Sequence, residues 1–438
     1  MPNSTFIVVD LGFGDAGKGT MVDAIARRCS SPPLVVRHNG GAQAGHNVVT
    51  SDGRQHVFSQ FGAATFVPGA RTLLSKHFIL HPGGLMAEHE HLVSVGVTDA
   101  LSRLSVDYRA LVITPYHQAM NRLCEYARGV ARHGTCGLGV GEAVADSLRA
   151  GEDALCADDL LHVEVLRWKL FCIRRRKLAQ AAQLLDELDA IGFSRESEAD
   201  AVTLYDSEVL ERTVDAFEAI GAHLRIVYAN DADAQIRDTE HVIFEGAQGV
   251  LLDERHGFHP HTTWSTTTTA NADRMIAETD RLGPVHRIGV VRAYATRHGQ
   301  GPFPSENHWL TEQLRDSHNT DTGWQGRFRC GWFDVPLTRY ALSVCPVDSL
   351  AVTCMDRLAA VSAWSICEGY REPIELVSGR GDLERQAQLT QNLLKVTPVL
   401  RAVPGDAARY LATISNRLEL PASVTSFGPR AEDKRWIR

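Results

Sequence analysis

The chain has no apolar run of the roughly 18 residues that a membrane-spanning helix needs, no C-x-x-C pair and no internal repeat. The first absence excludes a transmembrane helix. The second, with nine cysteines scattered from Cys29 to Cys367, leaves neither a zinc site nor a disulfide framework to read, and reduced thiols are expected. Positive charge is also short: 45 Lys and Arg stand against 53 Asp and Glu, a net charge of −8. That balance argues against a nucleic-acid or anionic-membrane partner. The N-terminal stretch MPNSTFIVVDLGFGD lacks the basic start and cleavage site of a signal peptide, so a cytoplasmic protein is expected. With 36 Gly and 17 Pro the chain shows no low-complexity bias.

What is present is alternation. Short β-branched runs at Phe6–Asp10, Leu34–Arg37, Thr72–Leu74, Leu111–Thr114, Val242–Glu245, Ile288–Ala293 and Leu350–Cys354 read as strands. Helical patterns follow Lys18 and cover about 175–191, 207–224, 383–395 and 406–417. Such alternation predicts an α/β fold around a mostly parallel sheet. Residues 150–240 or so are rich in helix formers and read as a helical insertion within one large domain spanning 1–438. The basic run Arg174-Arg175-Arg176-Lys177 reads as a solvated helix face.

Strand Phe6–Asp10 runs directly into LGFGDAGKGT and then into the helical MVDAIARRC. Strand, glycine-rich turn and helix form the context of a phosphate-binding loop. Glycines let backbone N–H groups approach an oxyanion, and the helix N-terminus adds its dipole. Gly12 to Lys18 satisfies G-x-x-x-x-G-K, but Gly19 stands where Ser or Thr would hold Mg²⁺. Asp15, inside the loop, is the carboxylate available to replace that ligand.

Four further segments are glycine-rich: VVRHNGGAQAGHNVV (35–49), FEGAQGVLLD (244–253), GVVRAYATRHGQGPFPSE (289–306) and GRFRCGWFD (326–334). With GDAGKG at the start, this ordered set resembles the adenylosuccinate synthetase family, from about residue 4 to SFGP at Ser426–Pro429. The resemblance implies a single P-loop-NTPase-like α/β domain with helical insertions, working as a homodimer. It implies a ligase that joins L-aspartate to the 6-position of IMP, with GTP as phosphoryl donor and Mg²⁺ as cofactor. The 6-oxygen of a purine leaves poorly, so it is phosphorylated first, and a base removes the N1 proton that otherwise blocks its attack.

Carried over position by position, Asp15 resembles that base and also a Mg²⁺ ligand. His46 resembles the acid at the transferring phosphoryl group, and Gln248 the reader of the purine edge. Gly14, Gly17, Lys18 and Gly19 fall on the cradle for GTP phosphates, and the Gly45 carbonyl on the metal shell. Asp356 falls on the acceptor for guanine, with Gly428 and Pro429 closing that pocket. Asn39, Gln43, Thr135 and Thr263 fall on substrate and phosphate contacts. Arg327 and Arg329 fall on the pair that holds ribose and the aspartate carboxylate, a task suited to planar guanidinium groups. Trp332 and Phe333 read as core.

The sequence departs from the family pattern mainly around the substrates. Ala16 replaces Glu and Thr20 replaces Lys in the phosphate loop, and Gln43 replaces Asn. Trp324 and Gln325 stand in place of two threonines, and Cys354 in place of the lysine two positions before Asp356. Arg149 lies one position from the arginine that the family sends across its dimer interface. These changes keep two alternatives open: a paralogue acting on another 6-oxopurine nucleotide such as dGMP with ATP as donor, and a non-catalytic nucleotide sensor.

Overall fold

The computed structural model describes residues 4–129, 132–314, 324, 326–361 and 363–437; Gln325 lies outside them. Its centre is a ten-stranded sheet. In spatial order the strands are Lys434–Trp436, Ala422–Ser426, Ser349–Thr353, Val285–Arg292, Ser4–Asp10, His241–Glu245, Leu34–Arg37, Arg71–Leu74, Leu104–Asp107 and Ile226–Val227. Every neighbouring pair is parallel except the antiparallel edge formed by Ala422–Ser426 and Lys434–Trp436. The strands nearest the middle are buried throughout, for instance Ser4–Asp10 and His241–Glu245, as a parallel sheet covered by helices on both faces requires. Two large apolar clusters, one on each face, complete a single domain.

Most expected elements form within a few residues of their expected limits. Leu111–Thr114 does not join the central sheet. Only Leu111–Val112 is extended, pairing with Ile79–Leu80 in a separate two-stranded ribbon. Residues 150–240 carry the helices Val163–Ile191, Arg195–Tyr205 and Glu208–Gly221, and also the short edge strand Ile226–Val227. The basic run is a solvated face only in part, at the exposed Arg175. It lies in the middle of the 29-residue helix Val163–Ile191, where Lys177 is fully buried and paired with Glu142 (2.6 Å) and Asp146 (3.0 Å). Arg174 caps carbonyls of Leu204 and Tyr205, and Arg176 reaches Asp146. A buried cation persists only when paired, so this run pins the long helix to Val140–Ala150. All nine cysteines are free thiols. Among the described residues no helix is long and apolar enough to cross a membrane.

Candidate active site

Ligands of open parallel sheets bind beyond the carboxyl ends of the strands. The glycine segments start there: after Asp10, Arg37, Glu245, Arg292, Thr353 and Ser426. The phosphate loop leaves Asp10, turns through left-handed residues Gly14 (φ 93°), Asp15 (φ 59°) and Gly17 (φ 91°), and enters helix Lys18–Ala26. The Asp10 carboxylate holds the loop from beneath. It accepts from the backbone N–H of Gly12 (2.8 Å) and Ala16 (2.9 Å), and from Lys18 Nζ (3.2 Å). Lys18 is therefore buried and aimed by a partner that the motif does not contain.

Two close approaches bring other segments onto this loop. A Cβ on Gly19 would lie 2.6 Å from the Cβ of His46, so glycine is what lets His46 pack on the first turn of the helix. A Cβ on Gly249 would lie 2.2 Å from the Gly12 carbonyl oxygen and 2.4 Å from the Gly14 nitrogen, which seats Gln248 beside the loop. Gln248 is itself left-handed (φ 56°), and its buried Oε1 has no protein partner. Both amide atoms of Gln43 are likewise buried without a protein partner. Buried polar atoms are rarely left unpaired, so these amides await a polar ligand. Asn39 is engaged differently: its amide exchanges hydrogen bonds with the backbone of Ala247 (3.0 and 2.7 Å), clasping the turn that carries Gln248.

His46 begins the strand His46–Val49, and its Nδ1 meets Glu245 Oε1 at very short range. The other oxygen of Glu245 accepts from Ala63 N–H at 2.9 Å. Burial pushes the His46 pKa below its ordinary value despite the attraction of Glu245. Burial pushes Glu245 up, but His46 and the fully buried Arg37 outweigh it, and its pKa falls. Nδ1–H of His46 donates to the Glu245 carboxylate, and that contact fixes the orientation of the imidazole.

The remaining expected residues frame this centre. Thr263 is tied by its N–H to the Leu252 carbonyl (2.8 Å), and Ser265 Oγ accepts from Gly40 N–H (2.9 Å). Thr135 follows the buried Glu125, whose carboxylate gathers the N–H groups of His133, Gly134 and Thr135. Trp324 lies against Gly137 and Tyr126, joining this segment to the arginine segment. There Arg327 is exposed, while Arg329 donates to Glu306 (2.6 Å) and to the carbonyls of Gly299 and Gly301. On the opposite flank, Asp356 is exposed in the turn after strand Ser349–Thr353, and Lys434 Nζ donates to the Gly428 carbonyl (2.8 Å). Thr20 Oγ1 donates to the Pro429 carbonyl (2.7 Å), tying this flank to the phosphate loop. Gly45 is exposed beside His46. A cleft lies against the loop, bordered by Asp10, Gly14, Arg292, Tyr294, Thr296 and Asp334. Trp332 and Phe333 are buried.

Sequence reading missed Asp10, Glu125 and Glu245 as individual residues. For Asp10 and Glu245 a signal existed, because each is an acidic residue ending an otherwise apolar, buried strand. Such a residue needs a partner, and both partners prove to be in the site.

The family model of adenylosuccinate synthetase matches residues 7–434. An adenylosuccinate synthetase of Clostridium beijerinckii is 32% identical over 457 aligned residues, covering 98% of each chain. One from Halothermothrix orenii is 30% identical, covering 97% of this chain and 96% of its own. Among solved structures, fully ligated adenylosuccinate synthetase from Plasmodium falciparum matches with a TM-score of 0.76 at 22% identity over 99% of both chains. Cyanophage S-2L succinoaminodeoxyadenylate synthetase (PurZ), bound to dGMP and dATP as an energy donor, matches with a TM-score of 0.62 at 16% identity, covering 100% of this chain and 96% of its own. At those identities the structural likeness is one of fold. The full-length family match and the relative at 32% identity decide the matter: the chain belongs to the adenylosuccinate synthetase family.

Proposed function

We propose that this ligase joins L-aspartate to the 6-position of IMP by way of a 6-phosphoryl intermediate, with GTP as the phosphoryl donor. The observation that carries the reading is the convergence of Asp15, the His46–Glu245 pair and Gln248 on one phosphate loop. Gln248 offers its unpartnered amide oxygen to the purine edge. Asp15 takes the N1 proton, which makes O6 nucleophilic. Lys18, aimed by Asp10, and the N–H groups of the loop meet the triphosphate. His46 faces the transferring phosphoryl group. The negative charge arriving there, with Glu245 behind, favours the imidazolium, so a proton is taken up as the donor binds.

Among the described residues no three His, Cys, Asp or Glu side chains are grouped as a metal cage. That suits Mg²⁺, which is commonly held by one or two carboxylates together with substrate phosphates. Asp15 and the Gly45 carbonyl are the protein groups that would hold it, and there it would neutralise charge on the triphosphate. Arg327 and Arg329 take ribose and the aspartate carboxylate, and Arg329 exchanges Glu306 for substrate to do so. Asp356, Gly428 and Pro429 receive guanine, and Thr135 and Thr263 the nucleotide phosphate. A homodimer in the cytoplasm completes the proposal, and the nine free thiols suit a reducing compartment.

Incubating the protein with IMP, aspartate, GTP and Mg²⁺ should release phosphate and form adenylosuccinate. Phosphate release with dGMP and not with IMP would overturn the choice of substrate. Nucleotide binding without turnover across a panel of 6-oxopurine nucleotides would overturn catalysis altogether. Asp15→Asn should lower the rate by about 10² or more, and a near-normal rate removes its role as base.

A further inference from the structure

We propose that His298 is a positioning residue for Asp15. It fixes the loop carboxylate through one oxygen so that the other faces substrate, and it links that carboxylate to the arginine segment. The inference rests on the reading of Asp15 as the base.

His298 ends the strand Ala295–His298, which pairs antiparallel with Phe328–Gly331 and sets His298 opposite Phe328. The two rings contact each other at 4.9 Å with a 55° tilt, which limits the swing of the imidazole. Its Nε2 lies 3.3 Å from Asp15 Oδ2, in a position where the His298 side chain is only 19% exposed. At that distance the two groups are within ion-pair reach, and catalytic contacts commonly tighten only when substrate binds. Asp15 needs such a partner. Its backbone is left-handed, a conformation that a non-glycine residue holds only when its surroundings impose it. The other restraint comes from the end of the central strand Val285–Arg292, just before Ala295–His298 in the chain. Arg292 Nε donates to the Asp15 carbonyl oxygen while its guanidinium lies over the Phe328 ring at 5.8 Å, and His298 takes the side chain.

The turn after His298 belongs to the arginine segment. Gly299 N–H donates to the Arg327 carbonyl (3.0 Å), and Arg329 donates to the carbonyls of Gly299 (2.7 Å) and Gly301 (3.2 Å). When Arg329 leaves Glu306 for a substrate carboxylate, the turn that carries His298 is what it pulls on. His298 therefore relays the state of the arginine segment to the base. A carboxylate held at Oδ2 presents Oδ1 in one orientation, and a misplacement of about 1 Å at such a group costs on the order of 10²-fold in rate.

Three variants separate this role from packing. His298→Phe keeps the ring on Phe328 and removes the donor. His298→Gln keeps an N–H donor at similar reach. His298→Phe combined with Asp15→Asn shows whether the two side chains act as a unit. The expected result is a kcat for His298→Phe reduced about 10- to 100-fold, with KM for GTP within about twofold and an unchanged melting temperature. Partial recovery is expected in His298→Gln, and the double variant should be no slower than Asp15→Asn alone. A kcat for His298→Phe within about twofold of the parent, beside a crippled Asp15→Asn, overturns the proposal while leaving the base assignment standing. A double variant slowed by the product of the two single effects also overturns it. A near-normal Asp15→Asn rate removes the base assignment and this inference together.

Discussion

Gly19→Ala adds one methyl group where the helix start meets His46. Its Cβ would lie 2.6 Å from the His46 Cβ and 3.0 Å from both the Cα and the carbonyl carbon of His46. Carbon atoms rest at about 3.5–4.0 Å, so roughly 1 Å has to come from one of two backbones, since none of the three contacts is the free end of a side chain. Lys18–Ala26 cannot easily retreat, because its start is fixed by Gly17 and by the bond from Lys18 to Asp10. The strand carrying His46 yields instead, and the imidazole moves against its anchor on Glu245. If His46 faces the transferring phosphoryl group as proposed, a shift of that size predicts a kcat about 10²-fold lower. Stability changes less. Alanine gains about 1 kcal/mol over glycine within a helix, against about 1–3 kcal/mol for overpacking, so the variant folds and can be assayed. Phosphate release at saturating IMP, aspartate and GTP gives kcat, and a thermal melt gives the stability. An unchanged kcat would refute the argument that glycine at position 19 exists to seat His46.

Glu245→Gln removes the charge that orients His46 and balances the fully buried Arg37. We expect a kcat lower by about 10²–10⁴ and a stability loss of about 1–3 kcal/mol, because Arg37 keeps the field of Glu88 and its two carbonyl partners, read by urea denaturation. A variant as stable and active as the parent would show that Arg37 and His46 do not depend on it. Asp334 caps helix Val335–Val344 from a fully buried site, and burial raises its pKa to about 6. A carboxyl whose folded pKa lies above its unfolded value stabilises fully below about pH 4, and that contribution is lost as pH rises through about 6. The shift is worth about 3 kcal/mol at neutral pH. Asp334→Asn keeps the cap and does not titrate, so it should be more stable than the parent at pH 8 and no more stable at pH 4. Equal melting curves at pH 8 would count against a strained, ionised Asp334.

The parts of the molecule visible in the sequence are those whose cause is local. Strand Leu34–Arg37 is an unbroken apolar run ending in a charge, and it forms where expected. The phosphate loop is visible because strand, glycines and helix are adjacent in the chain. Leu111–Thr114 carries the same local signal but lies at the rim, where its partner is the two-residue strand Ile79–Leu80. Lys177 reads as solvated because its partners, Glu142 and Asp146, lie a turn apart on a different helix. The pairs that build the site are more distant still. Glu245 and His46 are 199 residues apart, and Asp10 serves Lys18 across a loop whose pattern assigns it no role. Each pair is two halves of one contact: an acidic residue closing an apolar strand signals that a partner is needed, but not which residue it is.

The electrostatics of the loop show why such partners are needed. Its own charged side chains are Asp10, Asp15 and Lys18, a net of −1 at the spot where a triphosphate is proposed to bind, in a chain of net charge −8. Backbone N–H groups and one helix terminus offset part of that, but Asp10 already takes the N–H of Ala16. Lys18 cannot leave Asp10 without exposing a buried carboxylate, so it must serve both with its three donors. The remaining positive charge comes from Arg292 against the Asp15 carbonyl and, on the proposed mechanism, from protonation of His46 and a bound metal ion. An anion-binding site of this kind is nearly neutral before its ligands enter.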